Sequence, residues 1–271
     1  MQESSGAMHY TYEELAGMID HSLLHPALTD QELREGCRVA KRYKVASVCI
    51  KPYAVKMAAG LLKGSGVAVG AVVGFPHGGS TTEAKRFETE RACRDGATEI
   101  DMVINVGKAL SGDWAFVEKD IRAVVREAHR RKAIVKVIFE NDFLPSDAVK
   151  KKLCRICDRA GADFVKTSTG YGFVKGPDGK YSYEGATEHD LKLMRLSTSK
   201  RVQVKAAGGV RDLDTLMHVR DLGTTRCGAT ATAAMLDEYR RRAAEEAKES
   251  SSTATVSGAG GAASRLGGGG Y

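Results

Sequence analysis

A chain of 271 residues with 42% hydrophobic and 28% charged residues has the balance of a globular protein, which excludes wholesale disorder and leaves room for one large or two small domains. It is long enough to bury a full core without a disulfide or metal staple. Its net charge of +7 is scattered along the chain, and the clusters at Lys150, Lys151, Lys152 and at Arg240, Arg241, Arg242 have acidic neighbours, so they read as solvated surface and no nucleic-acid partner is expected.

The N-terminus lacks the apolar core of a leader peptide, and no apolar run approaches the roughly 18 residues of a membrane span. The expectation is a cytoplasmic protein with no membrane partner. In chain order, β-rich runs recur at 18–24, 47–50, 67–75, 99–105, 134–140, 164–169, 202–206 and 226–229. Most are near-continuous apolar runs, as expected of strands covered on both faces. Helical signals lie between them. Thr29-Asp30-Gln31-Glu32 has the form of a capping box, as do Ser80-Thr81-Thr82-Glu83 and Thr187-Glu188-His189-Asp190. Several predicted helices end at a glycine leading into the next strand, among them Gly96, Gly161 and Gly223. Cys154 and Cys157 form a CxxC inside a predicted helix, with no second pair and no nearby histidines. They read as core, so no metal and no cofactor is expected.

Eight strand–helix alternations predict an α/β fold, a (β/α)8 TIM barrel with a closed, parallel, eight-stranded sheet. An open doubly wound sheet is the alternative, but the Gly-x-Gly-x-x-Gly expected after its first strand is missing. The barrel domain is placed at 1–237, with a short N-terminal extension. Residues 238–271 are read as a helical extension followed by a flexible Gly/Ser-rich tail, where seven of the chain's 30 glycines fall in the last 14 residues.

Barrel enzymes work at the C-terminal ends of their strands. There the apolar runs are interrupted by Asp101 in the fourth strand, Lys136 and Glu140 in the fifth, Lys166 in the sixth and Lys205 in the seventh. Buried charges are costly unless paired. Three lysines and an aspartate on neighbouring strands form a cluster in which the lysines cannot all be comfortably charged. A partly desolvated lysine beside another cation becomes a usable amine nucleophile, the requirement for Schiff-base chemistry on a carbonyl. A nearby aspartate can relay the protons. The pattern does not say which lysine is the nucleophile, and a purely structural Lys–Asp network has the same form. Gly170 and Gly172 follow the sixth strand, Gly208 and Gly209 follow the seventh, and Gly228 ends the eighth. Exposed amides in these loops, with the Thr230 hydroxyl, suit a phosphate, although each glycine alone need only permit a tight turn.

The segments IDHSLLHPALT (19–29), VCIKPYAV (48–55), VVGFPHGGS (72–80), EIDMVINVG (99–107), KVIFEN (136–141), DFVKTSTGYG (163–172), VKAAGGVRD (204–212) and TRCGAT (225–230) resemble, in order, those of the deoxyribose-phosphate aldolase family, over residues 10–237. The resemblance implies a metal-independent class I aldolase of deoxyribonucleotide catabolism. Such an enzyme reversibly cleaves 2-deoxy-D-ribose 5-phosphate, a small phosphorylated sugar, to D-glyceraldehyde 3-phosphate and acetaldehyde. It assigns the Schiff base to Lys166, support of the nucleophile and of proton transfer to Lys205, and the proton relay to Asp101. Asp20 and Cys49 match pocket-lining positions and Lys136 a lysine behind them. Thr169, Gly170, Gly208, Gly209, Gly228 and Thr230 fall in substrate-binding segments. Family members can also carry a C-terminal tyrosine that reaches the active site for proton transfer, a role that falls here to Tyr271. A homodimer is left open as the assembly.

The chain departs from some relatives where Tyr171 stands in place of a lysine after Ser-Thr-Gly, and where Gly228-Ala229-Thr230-Ala231 keeps one hydroxyl of two. Both changes bear on phosphate affinity. The 173–187 loop is longer than a short connection needs and brings Lys175 and Lys180, which are either phosphate contacts or solvated. The competing readings are another Schiff-base aldolase, such as a transaldolase-like enzyme with a pocket for a longer sugar, and a catalytically silent binding barrel.

Overall fold

The computed structural model describes residues 9–257. Eight parallel strands close into a barrel: β1 (Ile19–Leu23), β2 (Ser47–Ile50), β3 (Ala68–Val73), β4 (Glu99–Val103), β5 (Ile134–Ile138), β6 (Phe164–Lys166), β9 (Gln203–Ala207) and β10 (Arg226–Ala229). β10 pairs back onto β1 and closes the ring. The two remaining strands, β7 (Val174–Lys175) and β8 (Tyr181–Ser182), form an antiparallel ribbon inside the loop after β6. That loop looked long because it carries this ribbon.

The helices α1 (Tyr12–Ala16), α2 (Asp30–Tyr43), α3 (Val55–Leu62), α4 (Thr82–Arg94), α5 (Val106–Leu110), α6 (Trp114–Arg130), α7 (Asp147–Ala160), α8 (Glu188–Ser197), α9 (Leu213–Asp221) and α10 (Thr232–Ser257) alternate with the barrel strands. α10 includes both the predicted charged extension and the first part of the Ser/Thr-rich segment, 250–257, as one helix of 26 residues. Residues 258–271, including Tyr271, lie outside the described residues.

The strands read as continuous apolar runs because both faces are covered, but the two faces differ. The apolar cluster under the helices takes Ile100 and Met102 of β4, Val135 and Val137 of β5, Val165 of β6, and Val204 and Ala206 of β9. These alternate with Asp101, Lys136, Lys166 and Lys205, which the two-residue period of a strand therefore turns to the barrel interior. Register sets their neighbours. Asp101 pairs with Lys136, Lys166 with Lys205, and Lys205 with Arg226.

Of the three predicted capping boxes, only that at Thr29 and Glu32 is reciprocal. At α4 the frame moves by one residue, and Thr81 accepts from the Ala84 amide. At α8 Thr187 caps alone, because the Asp190 carboxylate is drawn to Lys150 (2.6 Å) and to the Asn141 amide (3.0 Å). Gly161 ends α7 in the left-handed region at φ 82°, as the predicted helix exit requires.

Candidate active site

The interior charges form one network. Lys166 Nζ and Lys205 Nζ both donate to Asp101 Oδ2, at 2.8 and 2.7 Å. Lys205 also pairs with Asp20 Oδ2 at 2.5 Å. Lys136 donates to Asp20 Oδ2 (2.8 Å), lies 3.2 Å from Asp101 Oδ1 and bonds Glu99. Arg226 closes the network with Asp20 Oδ1 (2.5 Å) and Glu99 Oε2 (2.6 Å), and Ser47 donates to Asp20 Oδ1 at 2.7 Å. Four cations thus share three carboxylates in the barrel interior, with Asp20, Asp101, Lys136 and Lys205 fully buried.

Burial works against every charge here, and the partners decide the outcome. Lys136, Lys166 and Lys205 hold Asp101 well below the usual carboxylate range against its desolvation. Lys136, Lys205 and Arg226 do the same for Asp20. Burial would lower Lys205, but Asp101 and Asp20 raise it well above an ordinary lysine, and Lys136 is raised by the same two carboxylates.

Above the network, at the C-terminal ends of the strands, lies a cleft of about 410 Å³. Lys166 and Lys205 reach its floor. Of the residues singled out from sequence, Cys49, Thr169 and Gly170 line it, as do Gly208, Gly209, Gly228 and Thr230 from the last two barrel strands. Asp20, Asp101 and Lys136 do not; they lie behind the two lysines, Asp20 and Asp101 bonded to Lys205 and Lys136 bonded to both carboxylates. The Cys49 thiol is pushed up to about 11 by burial and by Asp101, so it is a neutral wall at neutral pH. The Thr169 hydroxyl donates to Glu140 and accepts from the Tyr171 amide at 2.9 Å, which fixes the turn through Gly170. Burial raises the Glu140 carboxyl, against the bonds from Thr169. Lys175 and Lys180 are exposed and line no part of the cleft. Instead the long loop contributes Phe173 and Tyr183.

Several participants were not singled out from sequence. Glu99 and Arg226 open their strands, where a charge ordinarily faces solvent. Arg211, which follows the Gly208-Gly209-Val210 turn, lines the cleft and was legible as a cation beside a glycine cradle. His25, Ser22 and Tyr183 also line it, and their sequence contexts carry no distinctive spacing.

A parallel barrel with two amines at the floor of a cleft and a carboxylate bridging them is the architecture of a barrel enzyme that works on carbonyl compounds. The family model of DeoC/LacD family aldolases matches residues 15–240. The deoxyribose-phosphate aldolase of Rhodopirellula baltica is 49% identical over 231 residues, covering 85% of this chain and 91% of the relative. That of Clostridium perfringens (strain 13 / Type A) is 46% identical over 225 residues, covering 83% of this chain and 95% of the relative. Among solved structures, the tetrameric deoxyribose phosphate aldolase from Aeropyrum pernix superposes with a TM-score of 0.75 at 29% identity, over 85% of this chain and 92% of the other. The aldolase QR15 gives 0.76 at 34% identity, over 84% and 97%. The chain belongs to the DeoC/LacD aldolase family, on the deoxyribose-phosphate aldolase branch, and is a carbon–carbon lyase.

Proposed function

We propose that this cleft reversibly cleaves 2-deoxy-D-ribose 5-phosphate to D-glyceraldehyde 3-phosphate and acetaldehyde through a Schiff base on Lys166. The observation that carries the reading is the shared Asp101 oxygen just behind the cleft floor, within 2.8 Å of both Lys166 and Lys205. Losing the Lys166 proton breaks one ion pair, whereas losing that of Lys205 breaks two and that of Lys136 three. Lys166 is therefore the lysine with the fewest carboxylate partners, and the least enclosed of the three at 3% exposure.

In the proposed reaction the Lys166 amine adds to the aldehyde carbon of the open-chain sugar. The carbinolamine loses water to give an iminium, with Asp101 and Lys205 moving the protons. Transfer of the 3-hydroxyl proton to the Asp101 carboxylate, through the water released in the previous step, breaks the C2–C3 bond. The bonding electrons pass to the iminium as an enamine, and glyceraldehyde 3-phosphate leaves. The enamine is protonated at C2, and water releases acetaldehyde. Gly208, Gly209 and Gly228 offer backbone in the cleft wall, and Thr230 and Arg211 a hydroxyl and a charge for the phosphate. Asp20 and Lys136 hold Asp101 and Lys205 in place. Thr169, Gly170 and Cys49 shape the wall. Tyr271 is assigned to protonation of the enamine, and Tyr271→Phe should then slow hydrogen exchange into acetaldehyde.

Borohydride reduction in the presence of acetaldehyde should add a two-carbon unit at Lys166, and Lys166→Ala should abolish both label and cleavage. A label on another residue, or turnover retained in Lys166→Ala, overturns the assignment.

A further inference from the structure

The ribbon of β7 and β8 is tied to the cleft at several points. Asp142 Oδ1 accepts from the amides of Glu184 (2.5 Å) and Gly185 (3.3 Å). The Ala186 amide donates to the Gly208 carbonyl at 3.1 Å. Gly185 is packed so closely that a Cβ on it would meet the Gly208 backbone at 2.9 Å. These contacts lay Tyr183 beside the Gly208 turn, where a Cβ on Gly208 would lie 3.4 Å from Tyr183 Cε2. The Tyr183 ring is fixed edge-to-face against Phe173, with centroids 5.0 Å apart.

Tyr183 lines the cleft together with Tyr171, whose ring is held edge-to-face by Phe75 at 5.6 Å. Burial, and then the Tyr183 phenol, raise Tyr171 above an ordinary tyrosine, so Tyr171 stays neutral. Gly208 opens the loop beyond β9, three residues after Lys205, so the Tyr183 ring stands at the glycine turn that follows the strand carrying Lys205.

We propose that Tyr183 is a specificity-determining residue added to the cleft by the ribbon, its phenol donating a hydrogen bond to the oxygen at the end of the sugar remote from the reacting carbonyl. This rests on the aldolase reading above. A neutral phenol donates to a terminal hydroxyl and to a phosphate oxygen alike, whereas a charged Arg211 favours the phosphate. The two groups therefore divide the work. Tyr183 recognises the sugar's terminal oxygen whether or not it is phosphorylated, and Arg211 recognises the charge.

The test compares cleavage of 2-deoxyribose 5-phosphate and of free 2-deoxyribose by the wild type, Tyr183→Phe, Asp142→Ala, Arg211→Ala and Lys180→Ala, with acetaldehyde–borohydride labelling of Lys166 reporting on the chemistry. Tyr183→Phe should raise KM for both substrates by about three- to tenfold with unchanged labelling, the effect of one lost neutral hydrogen bond. Asp142→Ala, which unhooks the ribbon but keeps the phenol, should move both KM values in the same direction. Arg211→Ala should act on the phosphorylated substrate alone, and Lys180→Ala on neither. Unchanged KM values in Tyr183→Phe, or a fall in kcat and labelling at constant KM, overturns the proposal. Absence of label in the wild type would instead sink the aldolase reading. The Tyr183 contact would then be read from the affinity for glyceraldehyde 3-phosphate, which Tyr183→Phe must weaken if the contact exists.

Discussion

One oxygen of Asp101 holds two ammonium groups, and this sharing makes Lys205 an electrostatic partner of the nucleophile. In Lys205→Leu that oxygen would serve Lys166 alone and hold its proton more firmly. The pH dependence of adduct formation should therefore move to higher pH, and an unchanged profile in borohydride trapping would contradict the shared-acceptor account. A second residue-scale prediction concerns His21, on the outer face of β1, whose Nδ1 lies 2.8 Å from Thr232 Oγ1 at the start of α10. Burial pushes this imidazole down from 6.5 to about 4. Between those values the unfolded chain takes up a proton that the folded protein refuses, so the stability His21 contributes is complete above pH 6.5 and is lost as the pH falls. Denaturant unfolding should show the wild type losing about 2–3 kcal/mol more than His21→Asn between pH 7 and pH 4.5. Legibility divides in the same place. Asp101, Lys136, Lys166 and Lys205 stood out because each interrupts an apolar run. Glu99 and Arg226 did not, because a charge at a strand's first residues looks the same whether it faces water or a sealed barrel floor.

At the scale of elements, both-face burial made most barrel strands visible as apolar runs, and the glycine at Gly161 marked an actual helix end. The ribbon was hidden because its strands are two residues each and its sequence is polar. α4 hid more: its run of Lys, Arg and Glu reads as solvated, yet Lys85 is fully buried. Its Nζ donates to Asp120 Oδ2 on α6 at 2.6 Å and to the Val103 carbonyl at the end of β4 at 2.9 Å. Burial lowers the Lys85 ammonium below an ordinary lysine, against the pull of Asp120. The side chain also passes under Gly74, where a Cβ would lie 2.8 Å from Lys85 Cε, so this pair fixes the loop that presents Phe75 to Tyr171. Lys85→Met keeps the length but strands the Asp120 carboxylate, and should cost about 3–5 kcal/mol. Adding Asp120→Leu to Lys85→Met should recover much of that loss in denaturant midpoints, because the stranded charge is then gone. Equal destabilisation of the single and double variants would mean that packing around Lys85, and not the uncompensated charge, sets the cost.

For the whole molecule, eight repeats of one pattern were enough to predict a closed barrel, since each unit needs neighbours on both sides to cover its strand. What the repeat does not carry is the means by which distant strands are joined across the interior. Asp20 on β1, Glu99 on β4, Lys136 on β5, Lys205 on β9 and Arg226 on β10 are bonded into one network although they belong to opposite sides of the ring. Such a network is a weak source of stability when complete, because desolvation offsets attraction, but a strong liability when one member is removed. Glu99 is the sharpest place to test this, because it partners Lys136 and Arg226 and lines no part of the cleft. Glu99→Gln leaves both cations short of a carboxylate. It should destabilise the barrel by about 3–5 kcal/mol, which for a chain of this size lowers Tm by roughly 10 °C. Well below that Tm the acetaldehyde label should still reach Lys166, because the Asp101 oxygen shared by Lys166 and Lys205 is untouched. An unchanged Tm by calorimetry would show that the floor is as stable without Glu99. A lost label at full folding would show that Glu99 acts on the chemistry as well as on closure.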